Sequence, residues 1–148
     1  MPKFMQNIGA LIAAAFVTSI LGSIFSTQSV IASLMSINVD ISLATRLSMT
    51  VNDLYILTAL VPVTAICFII GFTVVGLGYR FVGGNRTVWH IIAGATALIS
   101  TLLIIKAILL ITPIAGTRSP LGLLSFALAG AVGGWVYAKI TASKETEL

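Results

Sequence analysis

Four long stretches of the chain, residues 8–25, 55–79, 89–111 and 121–140, run almost without a charge. Each is close to the roughly 20 residues that an α-helix needs to cross a hydrocarbon layer of about 30 Å. None alternates polar and apolar residues as a barrel strand does, and backbone groups cannot stay unpaired in lipid, so all four are predicted as transmembrane helices. The chain therefore reads as an all-α integral membrane protein, one four-transmembrane-helix bundle occupying residues 1–148.

The breaks between these stretches carry their own signals. Gly83, Gly84 and Asn85 make a turn between the second and third spans. Pro113 stops the third, and Ser119 followed by Pro120 is an N-cap with proline at the first helical position of the fourth. Pro62 falls inside the second span and is expected to kink it.

The one long connection is 26–54. Its first part sets Val30, Ile31, Leu34 and Ile37 at helical spacing with Ser29, Ser33 and Ser36 on other faces, which predicts a short amphipathic helix on the membrane surface. A re-entrant loop lining a pore is the alternative. Asp40 is expected to cap a second short helix, ISLATRLSMTVNDL, that runs on into the second span. The stretch MPKFMQNIGALIAAAFVTSILGSIF resembles a signal peptide, but Ile stands three before the candidate cleavage sites, so it reads as an uncleaved first span.

Composition sharpens this picture chiefly by exclusion. With 58% hydrophobic and 8% charged residues, the chain lies far from the soluble average of about 25% charged. The net charge of +4 comes from scattered basic residues, not the patch that nucleic acid demands. The single cysteine, Cys67, has no partner for an internal disulfide and reads as a small core residue. One histidine, one cysteine and four carboxylates make no typical zinc site, and no HExxH, GxSxG or P-loop pattern occurs. No cofactor is implied, and His90 reads as an interfacial histidine beside Trp89.

Orientation follows from the basic residues. With both termini inside, Lys3, Arg80, Arg86, Lys139 and Lys144 lie in the cytoplasm and Arg46 and Arg118 outside, a bias that favours a bacterial inner membrane with both ends cytoplasmic. Tyr79, Trp89, Trp135 and Tyr137 then form an inner aromatic belt, with Tyr55 at the outer interface.

Candidate chemistry gathers at two places. One is Lys106, set in LIIKAILL within the third span, together with the outer polar residues Gln28, Asp40, Arg46, Asp53 and Arg118. Intramembrane ionisable groups mark functional sites by default, and Asp53, with Asp40 second, is the expected acidic partner of Lys106. Snorkelling of the lysine to the interface is the plainer account.

The other place is the fourth span, where Gly130 and Gly134 stand four apart, with Ala127 and Gly133 extending the small surface. Such spacing drives close helix contacts, inside the bundle or between copies. Ser19, Gly22, Ser23 and Ser26 in the first span, with Thr58, Pro62, Ala65, Thr73 and Gly76 in the second, offer a weakly polar seam. The function expected is an accessory, scaffold or assembly component acting through helix contacts with the bilayer and with a second copy or another membrane subunit. The alternatives are an oligomeric channel or carrier for a small solute near Lys106, and an enzyme acting on a lipid or quinone.

Overall fold

The computed structural model describes residues 3–58, 61–110 and 114–142. Pro113 and the tail bearing Lys144, Glu145 and Glu147 lie outside them. Five helices follow one another: α1 (Lys3–Met35), α2 (Leu43–Thr58), α3 (Val61–Val82), α4 (Arg86–Leu109) and α5 (Pro120–Ala142), with a 3-10 turn at Ala115–Arg118. The described residues form no strand. All the helices except α2 are long and apolar enough to cross a membrane.

The spans predicted at 89–111 and 121–140 correspond closely to α4 and α5. The first differs. α1 does not stop near residue 25 but continues as one helix of 33 residues, about 50 Å at a rise of about 1.5 Å per residue. The segment expected as a separate surface helix is its last three turns, where Ser33 Oγ donates to the Ser29 carbonyl at 2.9 Å and Ser36 Oγ to the Ser33 carbonyl at 2.7 Å. Serines that bond back to the preceding turn need no break in the helix to satisfy their hydroxyls.

α1 ends in a Schellman turn. Asn38 takes the left-handed conformation (φ 59°), Val39 N donates to Leu34 O at 3.2 Å, and Asn38 N donates to Met35 O at 3.1 Å. The span expected at 55–79 is covered by the end of α2, to Thr58, and by α3 from Val61, with residues 59–60 between them outside the described residues, so the kink expected at Pro62 is left open. The cap expected of Asp40 belongs to Ser42, whose Oγ accepts from Thr45 N at 3.3 Å while Asp40 is exposed. The other two turn expectations hold. Gly83 (φ 71°) and Gly84 (φ 103°) close the α3–α4 turn, with Asn85 Oδ1 accepting from Thr87 N at 3.0 Å. Ser119 Oγ accepts from Gly122 N at 3.0 Å and caps α5.

The long helices form a ring in which α1 packs against α3 and α5, and α4 closes the far side against the same two. α2 lies outside the ring along α1. Thr27 donates to Asp53 at 2.7 Å and Arg46 reaches Met35 Sδ at 3.2 Å, so α2 runs antiparallel to the end of α1 as a hairpin. On α5, Phe126 approaches Gly22 and Ser119 approaches Ser29, which places the start of α5 level with Gln28. The turns of α1 from Ser29 to Met35 therefore stand beyond the ring, by about 10 Å at the usual helical rise.

Large apolar side chains cover the outside, while the interior mixes small residues with Phe68, Phe72, Leu98, Leu102 and Phe126. Ala10, Ala14, Ala15, Ala93, Ala129 and Ala138 are buried, while Ile12, Phe16, Ile70, Leu77, Ile104 and Leu128 are exposed. Small residues inside let backbones approach closely, and large apolar ones outside suit a lipid solvent.

Candidate functional site

The backbones of α4 and α5 approach each other closely at their glycines. A Cβ built on Gly130 would strike the Gly94 carbonyl oxygen, one on Gly94 the Gly130 carbonyl, and one on Gly134 the His90 carbonyl. Gly133 turns the other way, where a Cβ would meet Thr18 Oγ1 and the Phe68 ring. The fourth-span glycines thus serve contacts within the bundle, and Ala127 beside them is half-buried. Gly94, their counterpart on α4, has His90 and Leu98 as its own four-residue neighbours; the signal that marks it is the small-residue cluster Ala93, Gly94, Ala95 and Ala97 around it.

Towards the end that holds the start of α1 and the end of α5, the ring is filled by aromatic groups. Phe72 stacks on Phe68 at 4.9 Å and on Tyr137 at 4.5 Å between ring centroids, and His90 lies 5.3 Å from Tyr137. Tyr137 is thus turned inward rather than into a belt, and His90 is buried, with Nδ1 2.7 Å from the Arg86 carbonyl. Trp89 Nε1 donates to the Gly83 carbonyl at 3.0 Å, and Trp135 is exposed with Lys139 Nζ 5.9 Å from its ring.

Towards the hairpin end the same ring is hollow. A cavity of about 100 Å³ lies between α1, α3, α4 and α5, with Phe126, Leu98 and Leu102 among its apolar walls. The polar residues along it are Thr18, Ser19 and Ser23 on α1, Thr64 and Cys67 on α3, and Thr101 on α4. Thr18 bonds to the Ala14 carbonyl at 2.8 Å, and Thr101 to Cys67 Sγ at 3.0 Å and the Ala97 carbonyl at 2.8 Å. Ser19 Oγ and Ser23 Oγ are buried and have no hydrogen-bond partner among the described residues. Each hydroxyl left unpaired away from water costs about 1–3 kcal/mol, so this wall is primed for a guest. Ser19, Gly22 and Ser23 of the expected seam line this space, whereas Thr73 is exposed and bonds to the Ile69 carbonyl at 2.6 Å.

The outer polar group does not assemble around Lys106. Thr101 of α4 faces Cys67 of α3, and Ala97 faces Gly71. In that register Lys106 falls level with Pro62 of α3. Its side chain is exposed, and among the described residues no ion pair joins it to Asp53 or Asp40. The expected pairing is corrected by helix order: Asp53 sits on α2 against α1, where Thr27 occupies its Oδ2, while α4 lies across the ring from α1. A terminal lysine with a flexible stem reaches the interface by itself.

The remaining members are dispersed. Arg46 turns back to the Ile41 carbonyl at 3.3 Å as well as to Met35. Arg118 is exposed on the 3-10 turn, and Gln28 is exposed on α1.

α2 completes the description. Its polar side faces α1 through Arg46 and Asp53, and the opposite side carries Leu43, Leu47, Val51 and Tyr55 four residues apart, with Tyr55 83% exposed. Ser48 and Asn52 flank this stripe and bring no charge to it. Comparison with protein-family models, with curated proteins and with solved structures finds no match to this chain.

Proposed function

We propose that the protein is an integral membrane component that works as an accessory or scaffold subunit, presenting the apolar stripe of α2 to another membrane subunit. That stripe is the observation that carries the reading. α2 stands alongside α1, so the stripe follows the direction of the span. Leu43 and Leu47 lie level with the last turns of α1, beyond the start of α5. A bilayer that covers the ring covers the lower part of the stripe near Tyr55 and leaves the upper part to water. Exposed apolar patches of this kind mark protein contacts. The large apolar side chains outside the ring support membrane residence, and the basic bias supports cytoplasmic termini in a bacterial inner membrane with the hairpin outside.

A second reading, a carrier for a small solute, draws on the hollow beside Ser19 and Ser23 rather than on Lys106.

The test is crosslinking in intact membranes. A photoreactive amino acid at Leu47 should yield one discrete protein adduct, whereas the same probe at Ile92, exposed on α4, should yield none. Absence of an adduct at Leu47 overturns the scaffold reading, and an adduct of twice the mass replaces the heterologous partner by a second copy. Orientation is tested separately with cysteines at Ser36 or Thr87 in a Cys67→Ser background. An impermeant thiol reagent added to intact cells should label Ser36→Cys only, and labelling of Thr87→Cys only would invert the topology.

A further inference from the structure

We infer that the hollow between α1, α3, α4 and α5 is a binding site for a small neutral molecule with a hydrogen-bonding head and a short apolar body, of the alcohol or primary amide class. This goes beyond the scaffold reading and does not depend on the α2 stripe. Size sets the first limit. An apolar cavity of about 150 Å³ accepts benzene, so the 100 Å³ here corresponds to roughly four or five non-hydrogen atoms.

Charge sets the second. Among the described residues no Asp, Glu, Lys, Arg or His lines the space, and an ion brought there would be left unpaired in a low dielectric. The ligand is therefore neutral. Polarity sets the third. Ser19 and Ser23 stand one helical turn apart on the α1 wall, are 8% and 0% exposed, and have hydroxyls without partners among the described residues. Each hydroxyl offers one donor and two acceptor positions, so a head that both donates and accepts satisfies the pair better than a carbonyl or an ether. The opposite wall, with Leu98, Leu102 and Phe126, takes the apolar body.

Cys67 lines the same space and is the single cysteine of the chain, so its modification reports occupancy without ambiguity. The full-length protein in nanodiscs is treated with methyl methanethiosulfonate, a small neutral thiol reagent, with and without 1-butanol, and modification is read by intact mass. Butanol should slow modification of Cys67, with half-protection on the order of millimolar for a ligand this small. In a Ser19→Ala/Ser23→Ala variant, which keeps the space and removes both hydroxyls, the butanol concentration for half-protection should rise about tenfold.

Chloroform, of similar size but without a hydroxyl, should protect both forms equally. Circular dichroism checks that the variant retains its helices, and a single Ser23→Ala variant serves if the double one does not. Absence of butanol protection in the wild type means that water alone fills the hollow and overturns the proposal. Equal butanol protection of wild type and variant overturns the role of the serines, because the hydroxyls then satisfy themselves on the α1 backbone.

Discussion

Replacing Gly134 by alanine tests whether α4 and α5 hold the ring together by backbone contact. The added methyl lands on the His90 carbonyl, and the neighbouring atoms are also backbone: the His90 carbonyl carbon at 2.7 Å and Ile91 Cα at 3.2 Å. A flexible side chain would swing aside, but a helix backbone moves only as a body, so the axes separate by on the order of 1 Å. A gap of that size forfeits about a quarter to a half of each atom pair's attraction. With on the order of 40 pairs across the contact at about 0.15 kcal/mol each, the loss is roughly 1.5–3 kcal/mol.

Alanine's better helix propensity returns up to about 1 kcal/mol, leaving a net destabilisation of roughly 0.5–2 kcal/mol. Gly76→Ala is the control, because a Cβ at Gly76 meets nothing within 4 Å. Reversible unfolding in mixed micelles of increasing SDS content, followed by far-ultraviolet circular dichroism, measures both. Gly76→Ala should match or exceed wild type. A Gly134→Ala protein as stable as Gly76→Ala would refute the close packing of α4 on α5.

Two further outcomes follow from the polar contacts. Lys106→Met should alter stability by no more than about 0.5 kcal/mol, as expected of an exposed side chain, and combined with Asp53→Asn the effects should add within about 0.5 kcal/mol. A coupling well above that in the double-mutant cycle would restore the pairing that helix order excludes. Thr27→Val should loosen the hairpin by about 1 kcal/mol, the worth of one hydrogen bond. Amide exchange across α2 should then quicken about fivefold while α5 is unchanged, and unaltered exchange in α2 would show that Thr27 does not hold Asp53 in place.

The helices were legible because lipid demands a long apolar run for each crossing, and Ser119, Asn85 and the Gly83–Gly84 pair marked their ends locally. What failed depended on three-dimensional neighbours. Ser29, Ser33 and Ser36 read as the polar face of a separate helix, yet the Ser33 and Ser36 hydroxyls turn to the backbone, Ser29 meets Ser119, and α1 runs on to Met35. Asp40 and Ser42 are both good caps by composition, and the choice between them rests on where the Asn38 turn releases the chain.

The partner of Lys106 was misassigned because order along the chain does not give order around the ring: α1 sits between α3 and α5 and keeps α2 away from α4. The hollow was invisible for another reason. Ser19 and Ser23 were visible as polar positions, but unfilled volume arises from how four surfaces meet and has no residue of its own.

That same ring order sets a timetable for biogenesis. Thr18 of α1 meets α5, and the Thr18 to Ala129 contact joins residues 111 apart. At about 5–20 residues per second, a ribosome needs roughly 5–20 s to make the intervening chain. The hairpin of α1 and α2 can form long before that, since Thr27 and Asp53 are separated by 26 positions. For those seconds a nascent chain holds a finished hairpin on an unfinished ring, with Thr18 of its first helix waiting for its last.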